Sequence, residues 1–230
     1  MEYTELLKEL PLFAGIAEEE IPKLCSAFGC RTRRIEKGSL LWSAGERVTS
    51  AGIVLSGCIR AEQTDSNGTL RVIALHRAGA LFGDVLMSSQ MQKSPVDIVA
   101  AEETEVLFLP LANIMREEGG ALAAARTRFR LNLLGELSDK YWALYRRIGL
   151  LSAPGMRARI ARYLLDEQER QETDRLLLPL TRETMASLLG VNRSALSREL
   201  SRMEREGMIR LERGGAALLR PAALRAAAGR

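Results

Sequence analysis

Long apolar runs, histidine and paired cysteine are what this 230-residue chain has least of. No run reaches the roughly 18 apolar residues of a membrane span, so none is expected. Glu2, Glu5, Lys8 and Glu9 interrupt the start, so no apolar signal segment is read there. Three cysteines, Cys25, Cys30 and Cys58, do not make a paired disulfide framework. They are expected to be small apolar fillers with reduced thiols in a cytoplasmic protein, a redox-active thiol being the minor option. A single histidine, His76, leaves no paired-histidine metal site, and there is no P-loop and no G-x-S-x-G elbow. An enzyme is therefore the weaker class of reading. There are no internal repeats, and the one biased stretch is an Ala-rich tail, expected to be poorly ordered.

What is present fits a soluble chain of more than one domain, with 27% charged residues and 47% from the apolar and aromatic set. The net charge of +4 is unevenly spread. Residues 152–230 hold 15 Arg and no Lys against 10 Asp and Glu, a net +5; residues 1–151 hold 18 Lys and Arg against 19 acids, a net −1. A basic C-terminal part on a neutral body suits a polyanionic partner. A solvated Arg-rich surface is the plainer alternative.

Apolar residues at helical spacing predict helices over about Glu2–Leu10 and Ala17–Phe28. From Arg31 to Pro110 the pattern changes to short apolar runs separated by glycines: Leu40–Trp42, Gly52–Leu55, Leu70–Leu75, Val96–Ala101 and Val106–Leu109. The Asp65-Ser66-Asn67-Gly68 stretch is a hairpin-turn signal. Short strands at this spacing predict an antiparallel sandwich or barrel. Beyond Pro110 the periodicity is helical. Leu134, Leu137, Tyr141, Leu144, Ile148 and Leu151 recur at alternating steps of three and four, an a/d seam that suits a partner helix and so a homodimer. Packing of that helix on its own domain is the alternative. Ser152-Ala153-Pro154-Gly155 breaks the helix, a further helix covers about Met156–Arg170, and Leu176–Leu180 reads as a strand.

Residues 181–207 carry the chemistry. Thr181 is an N-cap candidate for a short helix through Leu189, Gly190 a C-cap, Asn192 the next N-cap, and Gly207 the stop after a helix from Arg193 to Glu206. Two helices joined by a tight glycine turn make a helix-turn-helix. The second begins Asn192-Arg193-Ser194 and continues to Ser197-Arg198, so guanidinium, amide and hydroxyl groups share its outer face. Arginine bonds guanine O6 and N7 bidentately, and a helix N-terminus favours phosphate. Met208–Leu211 and Ala217–Leu219 read as a wing hairpin.

The stretch LTRETMASLLGVNRSALSRELSRMEREGMI resembles the winged helix-turn-helix of Crp/Fnr transcription regulators. GSLLWSAGE, VLSGCIRAE and GALFGDV resemble, in order, the glycine landmarks of that family's cyclic-nucleotide-binding barrel. The resemblance implies an α+β chain: an antiparallel jelly-roll β-barrel sensor over 1–117, a dimerisation helix over 118–151 and a winged helix-turn-helix over 152–230. It implies Arg193 and Arg198 as base-reading residues on a double-stranded operator, with Thr181, Arg182, Asn192 and Ser197 positioning the backbone. Ser194 stands where the family often has Glu, so the family's usual operator sequence is not carried over. RNA polymerase would be a further partner of an activator.

The family's cyclic-AMP receptors hold the nucleotide with a Gly-Glu pair and an Arg-Ser pair. Here Phe82-Gly83-Asp84 matches the first element, but the second reads Ser94-Pro95, with no arginine and, at Pro95, no N–H. Lys93 is one position off and would point the other way on a strand. Cyclic AMP is therefore not the expected effector. Phe82, Gly83, Asp84 and Ser94 remain the effector candidates, with Leu86, Met87 and Met91 as possible lining for an organic ligand. Three cysteines without tight spacing give no expectation of an Fe–S cluster. His76 leaves haem open, although a structural or surface histidine is the plainer account. A sequence-independent DNA-binding structural protein is the remaining alternative.

Overall fold

The computed structural model describes residues 3–65, 67–84, 93–116, 119–178 and 181–229. The chain separates into two compact units, Met1–Asp139 and Lys140–Arg230.

In the first unit, α1 (Thr4–Lys8) and a 3₁₀ turn (Pro11–Phe13) precede α2 (Ile21–Ala27). Both helices are shorter than the apolar spacing predicts. Pro11 opens the 3₁₀ turn after α1, and a second 3₁₀ turn (Glu18–Glu20) lies before Pro22 in the first turn of α2, where proline is tolerated. Among the described residues eight strands follow: β1 (Arg31–Ile35), β2 (Leu40–Trp42), β3 (Ser50–Ser56), β4 (Cys58–Thr64), β5 (Leu70–Arg77), β6 (Leu81–Phe82), β7 (Asp97–Ala100) and β8 (Thr104–Pro110). They form two antiparallel four-stranded sheets ordered β1-β8-β3-β6 and β2-β7-β4-β5. The β4–β5 hairpin turns where the sequence predicts. Asp65 Oδ1 accepts bonds from the Asn67 and Thr69 N–H groups, and Ser66 lies outside the described residues.

Strand β3 is buried from Ala51 to Leu55 because both its faces are covered. Ala51, Ile53 and Leu55 join Leu107 and Leu109 of β8 in a core with Leu7, Leu24 and Phe28. Val54 and Val106 face the second sheet and pack with Ile59, Ala61 and Ile98. The period-two alternation of strand side chains thus builds two cores from one sheet. After α3 (Leu111–Met115) comes α4 (Ala123–Leu151), whose Ala125, Phe129 and Leu133 close the first core at helical spacing. Phe129 meets Phe13 and Phe28 at ring-centroid distances of 5.3 and 5.1 Å.

The second unit holds the end of α4, then α5 (Gly155–Gln171), β9 (Arg175–Leu177), α6 (Arg182–Leu189), α7 (Arg193–Arg205), β10 (Ile209–Glu212), β11 (Gly215–Leu218) and α8 (Pro221–Ala228). Its three strands are ordered β10-β11-β9. Strand β9 begins one residue before the predicted Leu176 and stops at Leu177, short of the described Leu178; the predicted end at Leu180 lies outside the described residues. The Ala-rich tail is a correction: it is not loose but forms α8. Pro221 starts the helix, and Leu224 and Ala228, four residues apart, are fully buried in the core of this unit. Low side-chain entropy and one well-placed leucine are enough to dock it.

Candidate nucleic-acid interface

Helices α6 and α7 form the predicted helix-turn-helix, and their ends are set by local chemistry. Thr181 Oγ1 accepts the Thr184 N–H at 3.1 Å. Gly190 closes α6 in the left-handed region, φ +62°, which a side chain would strain. Asn192 Oδ1 accepts the Ser194 and Ala195 N–H groups at 2.9 and 3.3 Å. Each such cap stabilises its helix by about 0.5–2 kcal/mol relative to alanine.

The inner faces lock both helices onto one core. Met185, Ala186 and Leu189 of α6 are buried with Leu196, Leu200 and Met203 of α7. Two arginines on α5, which the sequence reading did not single out, fix the pair further. Arg157 donates to Glu199 Oε1 at 2.5 Å and bidentately to Glu206 at 2.8 and 3.0 Å, tying α5 to α7. The same guanidinium holds the Glu206 carboxyl below its usual range. Arg159 Nη1 donates to the carbonyls of Leu189 and Gly190 at 3.1 and 3.4 Å, at the end of α6. Arginine at alternate positions of an N-terminal helix turn is a weak sequence signal, because the acceptors on α6 and α7 come from 30 or more residues away.

The outer face of α7 is the opposite case. Arg193, Ser194 and Arg198 are exposed and Ser197 is half-buried. Neither Arg193 nor Arg198 has an ion-pair partner among the described residues, whereas Arg202, further along α7, pairs with Glu206. Thr181 and Asn192 are exposed, and Arg182 is half-buried with Nη1 3.9 Å from Met185 Sδ. All seven residues predicted for DNA contact lie at the N-caps or in the N-terminal halves of α6 and α7. The wing, β10–β11, follows α7 directly, and Glu204 Oε1 accepts the Leu211 N–H at 2.6 Å.

The seam on α4 is apolar and mostly uncovered. Leu134, Tyr141, Leu144 and Ile148 are between 56% and 61% exposed and Leu151 is 37% exposed, while Leu137 is half-buried against its own unit's core. Trp142 and Tyr145 extend the apolar surface; the ring centroids of Tyr141, Trp142 and Tyr145 lie 5.6–6.3 Å apart.

The effector candidates lie in the barrel but are largely engaged. Phe82 is buried, 5.2 Å from the Trp42 ring and 5.8 Å from the His76 ring. A Cβ on Gly83 would stand 2.8 Å from the same indole. Trp42, missed as a site residue because it reads only as part of a strand, is the hub of this cluster. Asp84 and Ser94 are both buried. Ser94 donates its N–H to Glu46 O at 2.9 Å and its hydroxyl to Val96 O at 2.6 Å, so both donors are used. Lys93 pairs across a β-bridge with Arg47. Leu86, Met87 and Met91 lie outside the described residues. Among the described residues no helix is long and apolar enough to cross a membrane.

Residues 158–227 match the family model for the Crp-like helix-turn-helix domain, and residues 32–117 match the cyclic nucleotide-binding domain. The chain is 31% identical over 208 residues to the cyclic AMP receptor protein of Thermus thermophilus, covering 90% of this chain and 92% of that protein. It is 27% identical over 203 residues to the transcriptional regulatory protein btr of Bordetella pertussis, covering 86% and 80%. A CooA variant from Carboxydothermus hydrogenoformans shares the fold, with TM-score 0.51, 22% identity and coverage of 86% and 87%. The sequence relatives are transcription regulators, not enzymes. With the two domains in order and the helix-turn-helix built as it is, the chain belongs to the Crp/Fnr family of transcription regulators.

Proposed function

We propose that the chain works as a homodimer that reads a twofold-symmetric operator with α7, its DNA affinity set by a small effector in the N-terminal unit. The observation that carries this is the contrast on α7: one face locked by Leu196, Leu200, Met203 and the Arg157 clamp, the other offering Arg193 and Arg198 without ion-pair partners among the described residues. A helix held so firmly keeps its guanidiniums oriented for base edges. Arg193 and Arg198 read bases; Thr181, Arg182, Asn192 and Ser197 bond the sugar–phosphate backbone, and Ser194 contributes a weaker contact at a base. The division of labour is a sensor over 1–117, a dimerisation helix over 118–151 and a DNA-binding part over 152–230, the first boundary lying outside the described residues.

The α4 seam supports the dimer. Exposed leucine, isoleucine and tyrosine at a/d spacing are more than a lone helix leaves in water, and a second copy of the same helix buries them. Two α7 helices then face one side of a duplex about 34–36 Å apart, and a small rotation at residues 152–155 decides the fit. Contact with RNA polymerase belongs to an activating form of the complex.

The relative from Thermus thermophilus is named for cyclic AMP, yet the residues here favour another effector. A phosphate needs a compensating charge or several free donors. Ser94 has spent both of its own and Pro95 has none. Selection of bound duplexes from a random pool, with and without cyclic AMP, tests the reading. The expected product is a twofold-symmetric sequence whose affinity cyclic AMP leaves unchanged. Salt-dependent binding with no preferred sequence would contradict it, and a strong gain on adding cyclic AMP would contradict the effector assignment.

A further inference from the structure

Helix α2 ends in a backbone motif that brings two cysteines together. Gly29 takes φ +69°. Its N–H donates to Ser26 O, and the Cys30 N–H donates to Cys25 O, both at 2.9 Å. This is the Schellman arrangement, in which the residue after the left-handed glycine packs on the residue five positions before it. Both of those positions are cysteine here, so the motif turns the two side chains toward one another. The neighbouring Cys30 thiol holds Cys25 below the usual thiol range, while Cys25 and burial push Cys30 up. Cys58 lies apart on β4, with Sγ 3.8 Å from Ile59 O.

The pair differs in access. Cys25 is buried, whereas Cys30 is half-buried and forms part of the wall of a cavity of about 610 Å³. Arg31, Arg33 and Arg47 line the same cavity with a single carboxylate, Glu46, whose Oε2 accepts the Ser43 N–H at 2.8 Å. Arg31 and Arg33 have no ion pair among the described residues. A concave site with this excess of guanidinium concentrates anions.

We propose that Cys25 and Cys30 are a reversible dithiol site, closed to an intramolecular disulfide by exchange with a carboxylate-bearing low-molecular-weight disulfide that enters through this cavity. Loss of one proton leaves a single negative charge on the pair. A proton passing from Cys30 to Cys25 places that charge on Cys30, the accessible thiol, which attacks one sulfur of the reagent. The reagent's S–S bond breaks, and one reagent thiolate leaves and is protonated. Cys25, losing its proton, then attacks the Cys30 sulfur of the mixed disulfide and expels the second reagent thiol. Two protein thiols and one reagent disulfide thus give one protein disulfide and two reagent thiols.

The full-length reduced protein, mixed with oxidised glutathione, alkylated and digested with trypsin, tests this. Cleavage after Lys23 and Arg31 leaves both cysteines in one peptide, Leu24–Arg31. The expected product is that peptide unalkylated and about 2 Da lighter than its dithiol form. Cys25→Ser should instead accumulate the glutathione adduct at Cys30. Neutral hydroxyethyl disulfide should react at least about threefold more slowly at low salt, the gap closing at ~1 M salt. Recovery of the peptide with both sulfurs alkylated, or equal rates for the anionic and neutral reagents at low salt, would overturn the proposal. None of these readouts depends on DNA binding.

Discussion

Arg198→Ala should lose specific operator binding while the protein keeps its fold and its dimer. The side chain is exposed and has no ion pair among the described residues, so its removal costs α7 almost nothing. On DNA the same group would bond a guanine edge bidentately, a contact worth about 1–3 kcal/mol of discrimination. A dimer makes that contact twice, and well-separated contacts add, so the total is about 2–6 kcal/mol. That is a fall of between about 30-fold and about 20,000-fold in specific affinity. Binding to unrelated duplex should fall far less, since only one charge per protomer is removed. Titration of wild type and variant against both the selected operator and a scrambled duplex measures this. Equal losses on the two duplexes would make Arg198 a phosphate contact rather than a reader.

Leu144→Glu should give a folded monomer with weak DNA binding. Leu144 is 58% exposed and lies in the middle of the α4 seam. A carboxylate there is harmless in a single chain, but in a dimer it would be buried opposite its own copy, unpaired and like-charged. Leu137 belongs to the same seam but is unsuited to this test, because it also packs against the first unit's core and a charge there would damage the fold. Two linked half-sites gain about 10²–10⁴ in avidity over one, so the monomer should lose at least about a hundredfold in operator affinity. Sedimentation gives the mass and circular dichroism the fold. A variant that sediments as a dimer would place the interface elsewhere.

The two predictions rest on parts of the molecule that were unequally visible in the sequence. The helix-turn-helix was legible almost to the residue because its boundaries are written in local chemistry: Thr181 and Asn192 cap, and Gly190 takes the one conformation a side chain disfavours. Strands β2, β3, β5, β7 and β8 were legible from apolar runs punctuated by glycine, whereas β4 and β6 carried no such run. Strand β1 was not legible either, because Arg-Thr-Arg-Arg-Ile has no apolar alternation; it is an edge strand paired only with β8, where charged residues are usual. The docking of α8 was hidden because two apolar contacts, Leu224 and Ala228, outweigh a composition that reads as a loose tail. The barrel site was the least legible. The role of Trp42 depends on Phe82 and Gly83, forty residues away, and the commitment of Ser94 depends on the Gly45–Glu46 turn. Contacts of that range leave no periodic trace.

The arginine clamp also bears on how the reading helix is held. Arg157 joins α5 to both Glu199 and Glu206, near the middle and at the end of α7, so a movement of α5 carries the recognition helix with it. Arg159 ties the end of α6 to the same helix. An effector that shifts the chain entering α5 would therefore move the whole helix-turn-helix as one body rather than bend it.

Inserting five base pairs between the half-sites of the selected operator tests most directly whether two α7 helices act together on one face of a duplex. Half a helical turn sends the second half-site to the far side of the DNA. Affinity should drop to that of an isolated half-site, and the Leu144→Glu variant should bind both duplexes alike. Undiminished binding of the wild type to the lengthened operator would contradict a symmetric pair of reading helices.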